Sequence, residues 1–262
     1  MAGENKRKRL IVANWKMNPA SRADAMRMFG EAKRAGARAT RVQTVVCAPF
    51  PFLSALSDEA SGHRTALGAQ NCFYERSGAY TGEVSPIQLS SLGVRYVILG
   101  HSERREMGES SELICRKVFA ALKEGLIVIL CIGERARDEE GNYFNFIKQQ
   151  IEESLKDIPR RYFLNLCVTY EPIWAISTHA SGIESPEDML QMGIFIRKTL
   201  GSICGKDLAV KVPILYGGSV DENDVAGYIE RGGVDGALVG KASLVPETFA
   251  KIIKNANEAK TD

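Results

Sequence analysis

Eight short apolar runs recur along the 262 residues of this chain, separated by stretches with helical periodicity. The runs are Leu10–Ala13, Val42–Cys47, Thr65–Ala69, Tyr96–Leu99, Leu126–Ile132, Leu166–Tyr170, Val210–Tyr216 and Gly236–Val239. Most are too short for helices and rich in Val, Ile and Leu without alternation, the pattern of parallel strands buried on both faces. Helical periodicity fills Ala20–Ala35, Pro51–Ala60, Ser110–Lys123, Asn142–Lys156, Glu187–Leu200, Glu222–Arg231 and Pro246–Asn257, with Pro86–Leu92 as a shorter crossover. At Ser185-Pro186-Glu187-Asp188 the serine can cap a helix whose first turn the proline occupies. Strands alternating with helices require right-handed crossovers and a parallel sheet. Dividing 262 residues by eight leaves about 33 per unit, the size of one strand–helix repeat. The expected fold is α/β: a single (β/α)8 barrel, eight parallel strands ringed by helices. No linker-like segment divides the chain, so one domain is expected over 1–262, with 1–7 as a basic N-terminal arm.

Composition narrows the function classes. Lys and Arg number 34 against 32 Asp and Glu, and a formal net charge of +2 gives no general pull towards nucleic acid or an anionic membrane. No apolar run reaches the roughly 18–20 residues that span a bilayer, and no signal-type apolar core follows the basic start. A cytoplasmic protein is expected. The six cysteines are scattered without a C-x-x-C pair, and there are only three histidines, so zinc spacing is absent and no metal is expected. Cys47, Cys131 and Cys167 fall inside apolar runs and read as small buried hydrophobes.

In a parallel barrel the chemistry collects at the carboxyl ends of the strands. After the first run comes Asn14-Trp15-Lys16-Met17-Asn18, and after the third Gln70-Asn71. Gly100-His101-Ser102-Glu103-Arg104-Arg105 follows the fourth, Gly133-Glu134 the fifth and Glu171-Pro172 the sixth. The seventh and eighth end in Gly217-Gly218-Ser219 and Gly240-Lys241-Ala242-Ser243. A cation, an imidazole and a carboxylate thus come from three strands to one rim. The small-residue turns after the last two strands expose backbone N–H groups, a cradle for an anion and most often for phosphate. A carboxylate that takes a proton from carbon, an imidazole that shares one with a carbonyl oxygen and a lysine that offsets negative charge suit proton transfer on a small phosphorylated substrate. No cofactor is required.

At these residues the chain resembles the triosephosphate isomerase family over nearly its whole length. The motifs occur in order: Asn14-Trp15-Lys16-Met17-Asn18, Ala69-Gln70-Asn71, Gly78-Ala79-Tyr80-Thr81-Gly82-Glu83 and Leu99-Gly100-His101-Ser102-Glu103-Arg104-Arg105. Cys131-Ile132-Gly133-Glu134, Tyr170-Glu171-Pro172-Ile173-Trp174-Ala175-Ile176, Tyr216-Gly217-Gly218-Ser219 and Asp235-Gly236-Ala237-Leu238-Val239-Gly240 complete the set. The family is itself the usual illustration of a carboxylate base working with a neutral imidazole. The resemblance implies that Glu171 is the base, His101 the electrophile and Lys16 the positive charge. Asn14 then orients the substrate and Glu103 partners Lys16. Phosphate would meet Ser177, Ser219, Gly240 and Lys241. It further implies a TIM barrel acting in glycolysis and gluconeogenesis, and a homodimer in which the loop bearing Thr81 inserts beside the partner's Asn14 and Lys16.

Two stretches depart from the family pattern. The lid segment after the sixth strand usually reads Ile-Gly-Thr-Gly-Lys-Thr-Ala, whereas this chain has Ile176-Ser177-Thr178-His179-Ala180-Ser181-Gly182, with Pro186 about two residues later than usual. Losing two glycines restricts φ, which predicts a lid with altered closing and retained catalysis. Lys241 stands where the family has a second glycine. Lysine there costs about 1 kcal/mol if the position needs positive φ; otherwise its ammonium adds attraction for phosphate.

Other features read as structural. His63 and His179 lack a motif, and Lys6-Arg7-Lys8-Arg9 reads as a charged arm leading into the first strand. Gly236–Lys241 is one residue short of a phosphate-binding P-loop, and Gly100–Arg104 lacks the last glycine of a nucleophile elbow. The alternatives that remain are another phosphosugar isomerase and a catalytically altered relative kept as a scaffold.

Overall fold

The computed structural model describes residues 7–60, 62–176 and 185–260. Eight strands close into a parallel barrel in sequence order: β1 Arg9–Asn14, β2 Val42–Ala48, β3 Ala66–Ala69, β4 Tyr96–Leu99, β5 Ile127–Ile132, β6 Leu166–Tyr170, β7 Ile214–Tyr216 and β8 Gly236–Val239. β1 pairs with β8, Leu10 opposite Gly236 and Ala13 opposite Val239, so no edge remains open.

Both faces of each strand are buried, one against helices and one in the barrel interior. Ile11, Ala13, Val97, Leu130 and Val168 belong to the layer between strands and helices. Leu10, Val12, Ile98, Ile129, Cys131, Cys167, Leu215 and Leu238 fill the interior. This double burial is why the runs show no polar alternation. Cys47, Cys131 and Cys167 all lie in the interior, and all six cysteines are free thiols.

Several helices begin where side-chain oxygens take the free N–H groups of a first turn. Ser21 accepts from Asp24 N–H to start Arg22–Arg38, and Ser110 accepts from Leu113 N–H to start Ser111–Lys123. Ser185 and Asp188 form a reciprocal capping box ahead of Pro186–Cys204, with Pro186 in the first turn.

Two stretches differ from the sequence reading. The run Val210–Tyr216 becomes a strand only from Ile214, because Lys206–Ala209 is a helical turn and Val210 is 60% exposed beyond it. Pro213 has no N–H for the ladder; its carbonyl accepts from Val168 N–H at 2.9 Å, and pairing starts at the next residue. Arg9 is not part of a solvated arm. It is the first residue of β1, 6% exposed, and its guanidinium donates to the carbonyls of Ala256 and Ala259 at 2.6 and 2.7 Å. Those carbonyls lie at the end of the helix Pro246–Glu258, where a cation meets the negative pole of the helix.

Candidate active site

Strand period places much of the site. Side chains alternate across a strand, and interior positions in β1 are Leu10 and Val12, so the next in step is Asn14. In β6 the series runs Cys167, Thr169 and then Glu171. In β7 and β8 it runs Leu215 to Gly217 and Leu238 to Gly240. Asn14 and Glu171 therefore face the barrel mouth, while Gly217 and Gly240 leave it open. These four line a cavity of about 200 Å³ with Lys16, His101, Ser102, Gly218, Ser219 and Lys241.

Lys16 has φ of 51°, a left-handed conformation that disfavours a side chain. Two amides hold it there: Asn14 Oδ1 accepts Lys16 N–H at 3.1 Å, and Gln70 Nε2 donates to the Lys16 carbonyl at 2.9 Å. The ammonium reaches Glu103 Oε1 at 2.6 Å, with the two side chains 36% and 47% exposed. A pair this open leaves the ammonium free to turn towards a substrate, since exposed ion pairs contribute roughly 0–1 kcal/mol.

His101 follows Gly100, whose φ of 71° turns the chain out of β4. It caps the short helix Ser102–Glu106 through Nδ1, which accepts Glu103 N–H at 3.2 Å. With Nδ1 accepting, the ring proton lies on Nε2, facing Glu171 Oε1 at 3.2 Å. The other carboxylate oxygen of Glu171 accepts Ser102 N–H at 2.9 Å. Glu171 itself is 2% exposed. The Arg105 guanidinium braces this turn, donating to the carbonyls of Gly100 and Cys131 at 2.8 and 3.2 Å.

Glycine is forced where the strand exits converge. A Cβ on Gly133 would lie 1.8 Å from the Glu171 carbonyl oxygen, and one on Gly217 would lie 2.5 Å from Thr169 Cγ2 and 3.0 Å from Glu171 Cγ.

The far side of the cavity suits an anion. The main-chain N–H groups of Ser219, Gly240 and Lys241 donate to no other group among the described residues. Lys241 opens the 3-10 turn Lys241–Leu244 and is not among the residues of positive φ, so it carries no glycine-type strain there. Its side chain is exposed at the cavity wall. Ser219 Oγ donates to the Ala175 carbonyl at 3.3 Å, tying the β7 exit to the β6 exit.

The barrel closure, the interior carboxylate facing an imidazole and this amide cradle agree with sequence comparison. Residues 9–256 match the family model described as triosephosphate isomerase. The chain belongs to the triosephosphate isomerase family. Its relatives include the triosephosphate isomerase of Caldanaerobacter subterraneus subsp. tengcongensis, 39% identical over 249 residues, covering 94% of this chain and 99% of that protein. The triosephosphate isomerase of Carboxydothermus hydrogenoformans is 40% identical over 254 residues, covering 95% and 99%. Among solved structures, triosephosphate isomerase from Bartonella henselae superposes with a TM-score of 0.82 at 32% identity, covering 95% of this chain and 98% of that one.

Within this triosephosphate isomerase framework, Asn14, Lys16, His101, Glu171, Ser219, Gly240 and Lys241 share one cavity, and Glu103 stands at its edge. Thr81 does not line it; the residue is exposed on the loop after β3, beside Tyr80, whose ring lies 4.7 Å from that of Phe73. Ser177, His179, Ala180 and the rest of the lid segment lie outside the described residues. His63 is structural: its Nδ1 accepts Thr65 N–H at 3.0 Å, and burial with Lys33 and Arg64 nearby lowers its pKa. Sequence reasoning missed Ser102 as the N–H donor to Glu171, although the residue stands in the quoted motif after His101. It also took Cys131 only as filler. Burial and the adjacent Glu171 carboxylate push that thiol well above its ordinary value, so it stays protonated beside that carboxylate.

Proposed function

We propose that this chain interconverts dihydroxyacetone phosphate and D-glyceraldehyde 3-phosphate through an enediolate. The observation that carries the reading is the opposition of Glu171 Oε1 and His101 Nε2 at 3.2 Å within a rim that also holds Lys16 and the amide cradle. The Glu171 carboxylate takes the proton from one substrate carbon and returns it to the other. His101, its proton on Nε2 because Nδ1 is occupied by Glu103 N–H, donates to the carbonyl oxygen and shuttles between the two oxygens. Lys16 offsets the negative charge that develops there, and Asn14 orients the substrate. Base and electrophile face each other at 3.2 Å, so an incoming triose separates them. Phosphate meets the N–H groups of Ser219, Gly240 and Lys241, and of Ser177 by resemblance. A cavity of about 200 Å³ is below the roughly 300–1,000 Å³ of pockets for drug-sized ligands, which favours a three-carbon substrate over a longer sugar phosphate.

The unit is one barrel domain at work in the cytoplasm, in glycolysis and gluconeogenesis, with no cofactor. Among the described residues no helix is long and apolar enough to cross a membrane. A second copy is the expected partner: Thr81 is exposed on its loop, and Met17 and Met107, next in sequence to Lys16 and the Ser102–Glu106 helix, are 94% and 77% exposed, apolar side chains that a partner would cover. A coupled assay with D-glyceraldehyde 3-phosphate tests the function. Turnover supports it; turnover only of a longer phosphosugar, or of nothing, would replace it with the related-isomerase or scaffold reading. Sedimentation at assay dilution tests the dimer, which an active monomer would contradict.

A further inference from the structure

Behind Glu171, on the outer face of the β6 exit, lies a second polar cluster. Glu134 Oε1 accepts from Tyr170 Oη at 2.6 Å, from Trp174 Nε1 at 2.9 Å and from Arg137 Nε at 3.0 Å. Arg137 Nη2 donates to Tyr170 Oη at 2.8 Å. Its guanidinium lies over two rings, 4.8 Å from the centroid of Trp174 and 5.1 Å from that of Tyr143. The Glu134 side chain is only 2% exposed and that of Arg137 22%, so the arginine supplies the counter-charge to a buried carboxylate.

The cluster grips the chain on both sides of the base. Tyr170 precedes Glu171 and Trp174 follows three residues later. The main chain between them is also held: Glu171 N–H donates to the Ile132 carbonyl at 2.8 Å and Ile173 N–H to the Glu134 carbonyl at 3.0 Å. The side chain of Glu171 must still leave Ser102 N–H and His101 Nε2 to reach a substrate carbon. That motion needs fixed points on either side, and Tyr170 and Trp174 supply them only while their own polar ends are anchored.

We propose that Arg137 is a positioning residue for the reaction, acting through Trp174 and Tyr170 to set the path of the Glu171 carboxylate. The proposal rests on the isomerase reading above. Arginine suits the task because one planar group donates along its edge to Glu134 and Tyr170 while its face covers aromatic rings. Lysine can satisfy the charge and one donor, but not the face.

The test uses the full chain and D-glyceraldehyde 3-phosphate. Turnover by the unmodified protein comes first; its absence would sink the isomerase reading itself and this role with it. Given that turnover, Arg137→Met lowers kcat about tenfold with KM within about twofold, the split expected when an interaction serves the transition state more than binding. Arg137→Lys recovers part of the loss. In a Trp174→Phe background the Arg137→Met penalty shrinks to about twofold or less, because residues acting as a unit are not additive. The chain has only two tryptophans, so an emission change in Arg137→Met that disappears in the Trp174→Phe background reports Trp174. Circular dichroism on both Arg137 variants checks the fold; Arg137 is 22% exposed in the loop after β5, and Arg137→Lys keeps the charge beside Glu134 where Arg137→Met does not. Wild-type kcat in Arg137→Met, a loss that multiplies fully with Trp174→Phe, or unchanged emission overturns the proposal.

Discussion

His101 Nε2 and Glu171 Oε1 face each other at 3.2 Å, although their residues are separated by two strands and the helices between them. Each side chain gives the other a polar partner across the barrel mouth. The second oxygen of Glu171 accepts Ser102 N–H at 2.9 Å, so both carboxylate oxygens are held.

Replacing that carboxylate by its amide keeps the volume and the Ser102 contact but removes its capacity to take a proton. Glu171→Gln is expected to lower kcat by about 10²–10⁴-fold, the usual worth of one general base. Inorganic phosphate, as a competitive inhibitor, should bind the variant within about threefold of the parent. Turnover close to the parent's would overturn the assignment of Glu171.

Gly133→Ala is expected to damage both stability and activity. Its Cβ would fall 1.8 Å from the Glu171 carbonyl oxygen, a backbone atom that cannot swing aside. The exits of β5 and β6 must then part, at a cost of about 1–3 kcal/mol, and Glu171 moves with them. Urea unfolding together with kcat measures both effects. Unchanged kcat would mean that the strand exits yield without carrying Glu171.

Lys117 is 3% exposed and donates to Glu109 Oε1 at 2.6 Å and Asn71 Oδ1 at 3.1 Å; Arg104 also donates to Glu109. Neutralising the acid alone strands a buried ammonium. Glu109→Gln should cost about 3–5 kcal/mol, and adding Lys117→Met should recover part of that loss. Chemical denaturation of the single and double variants decides; additive losses would refute a coupled pair.

Asp224 supplies a pH dependence. Burial and the neighbouring Asp221 and Glu222 charges raise its pKa from 3.8 to about 6. Between those values the folded protein keeps a proton that the unfolded chain releases, so this group's contribution to stability falls as pH rises from about 4 to 6 and stays lost above. Asp224→Asn should therefore raise the unfolding midpoint at pH 7 by about 1–3 °C, a modest gain because solvent screens a half-buried group. The amide oxygen can still accept Asp221 N–H, now at 2.9 Å from Asp224 Oδ1. At pH 4 the two proteins should melt alike; a difference that persists there would point to packing instead.

Much of the site was legible because it is built on strand period. Asn14 and Glu171 continue the interior steps Leu10–Val12 and Cys167–Thr169, so their direction follows from counting by two. His101 and Lys16 escape that count. Each follows a change of backbone direction, Gly100 at φ of 71° and Lys16 itself at 51°, and their aim depends on N–H groups donated by Glu103 and Gln70 and on Asn14 Oδ1 as acceptor. Arg9 and Val210 show the limit from the other side. A basic run and an apolar run suggested an arm and a strand, and the C-terminal helix and Pro213 decided otherwise.

The sequence by itself determined the (β/α)8 barrel and the rim on which chemistry collects, because hydrophobic period and strand–helix alternation are local properties written along the chain. Only the tertiary structure decided which polar atoms meet. Glu171 reaching His101, Arg137 covering Trp174, and Gly133 yielding to a carbonyl are contacts between different strand exits. Their geometry depends on how the closed barrel brings those exits together, and no local pattern encodes that.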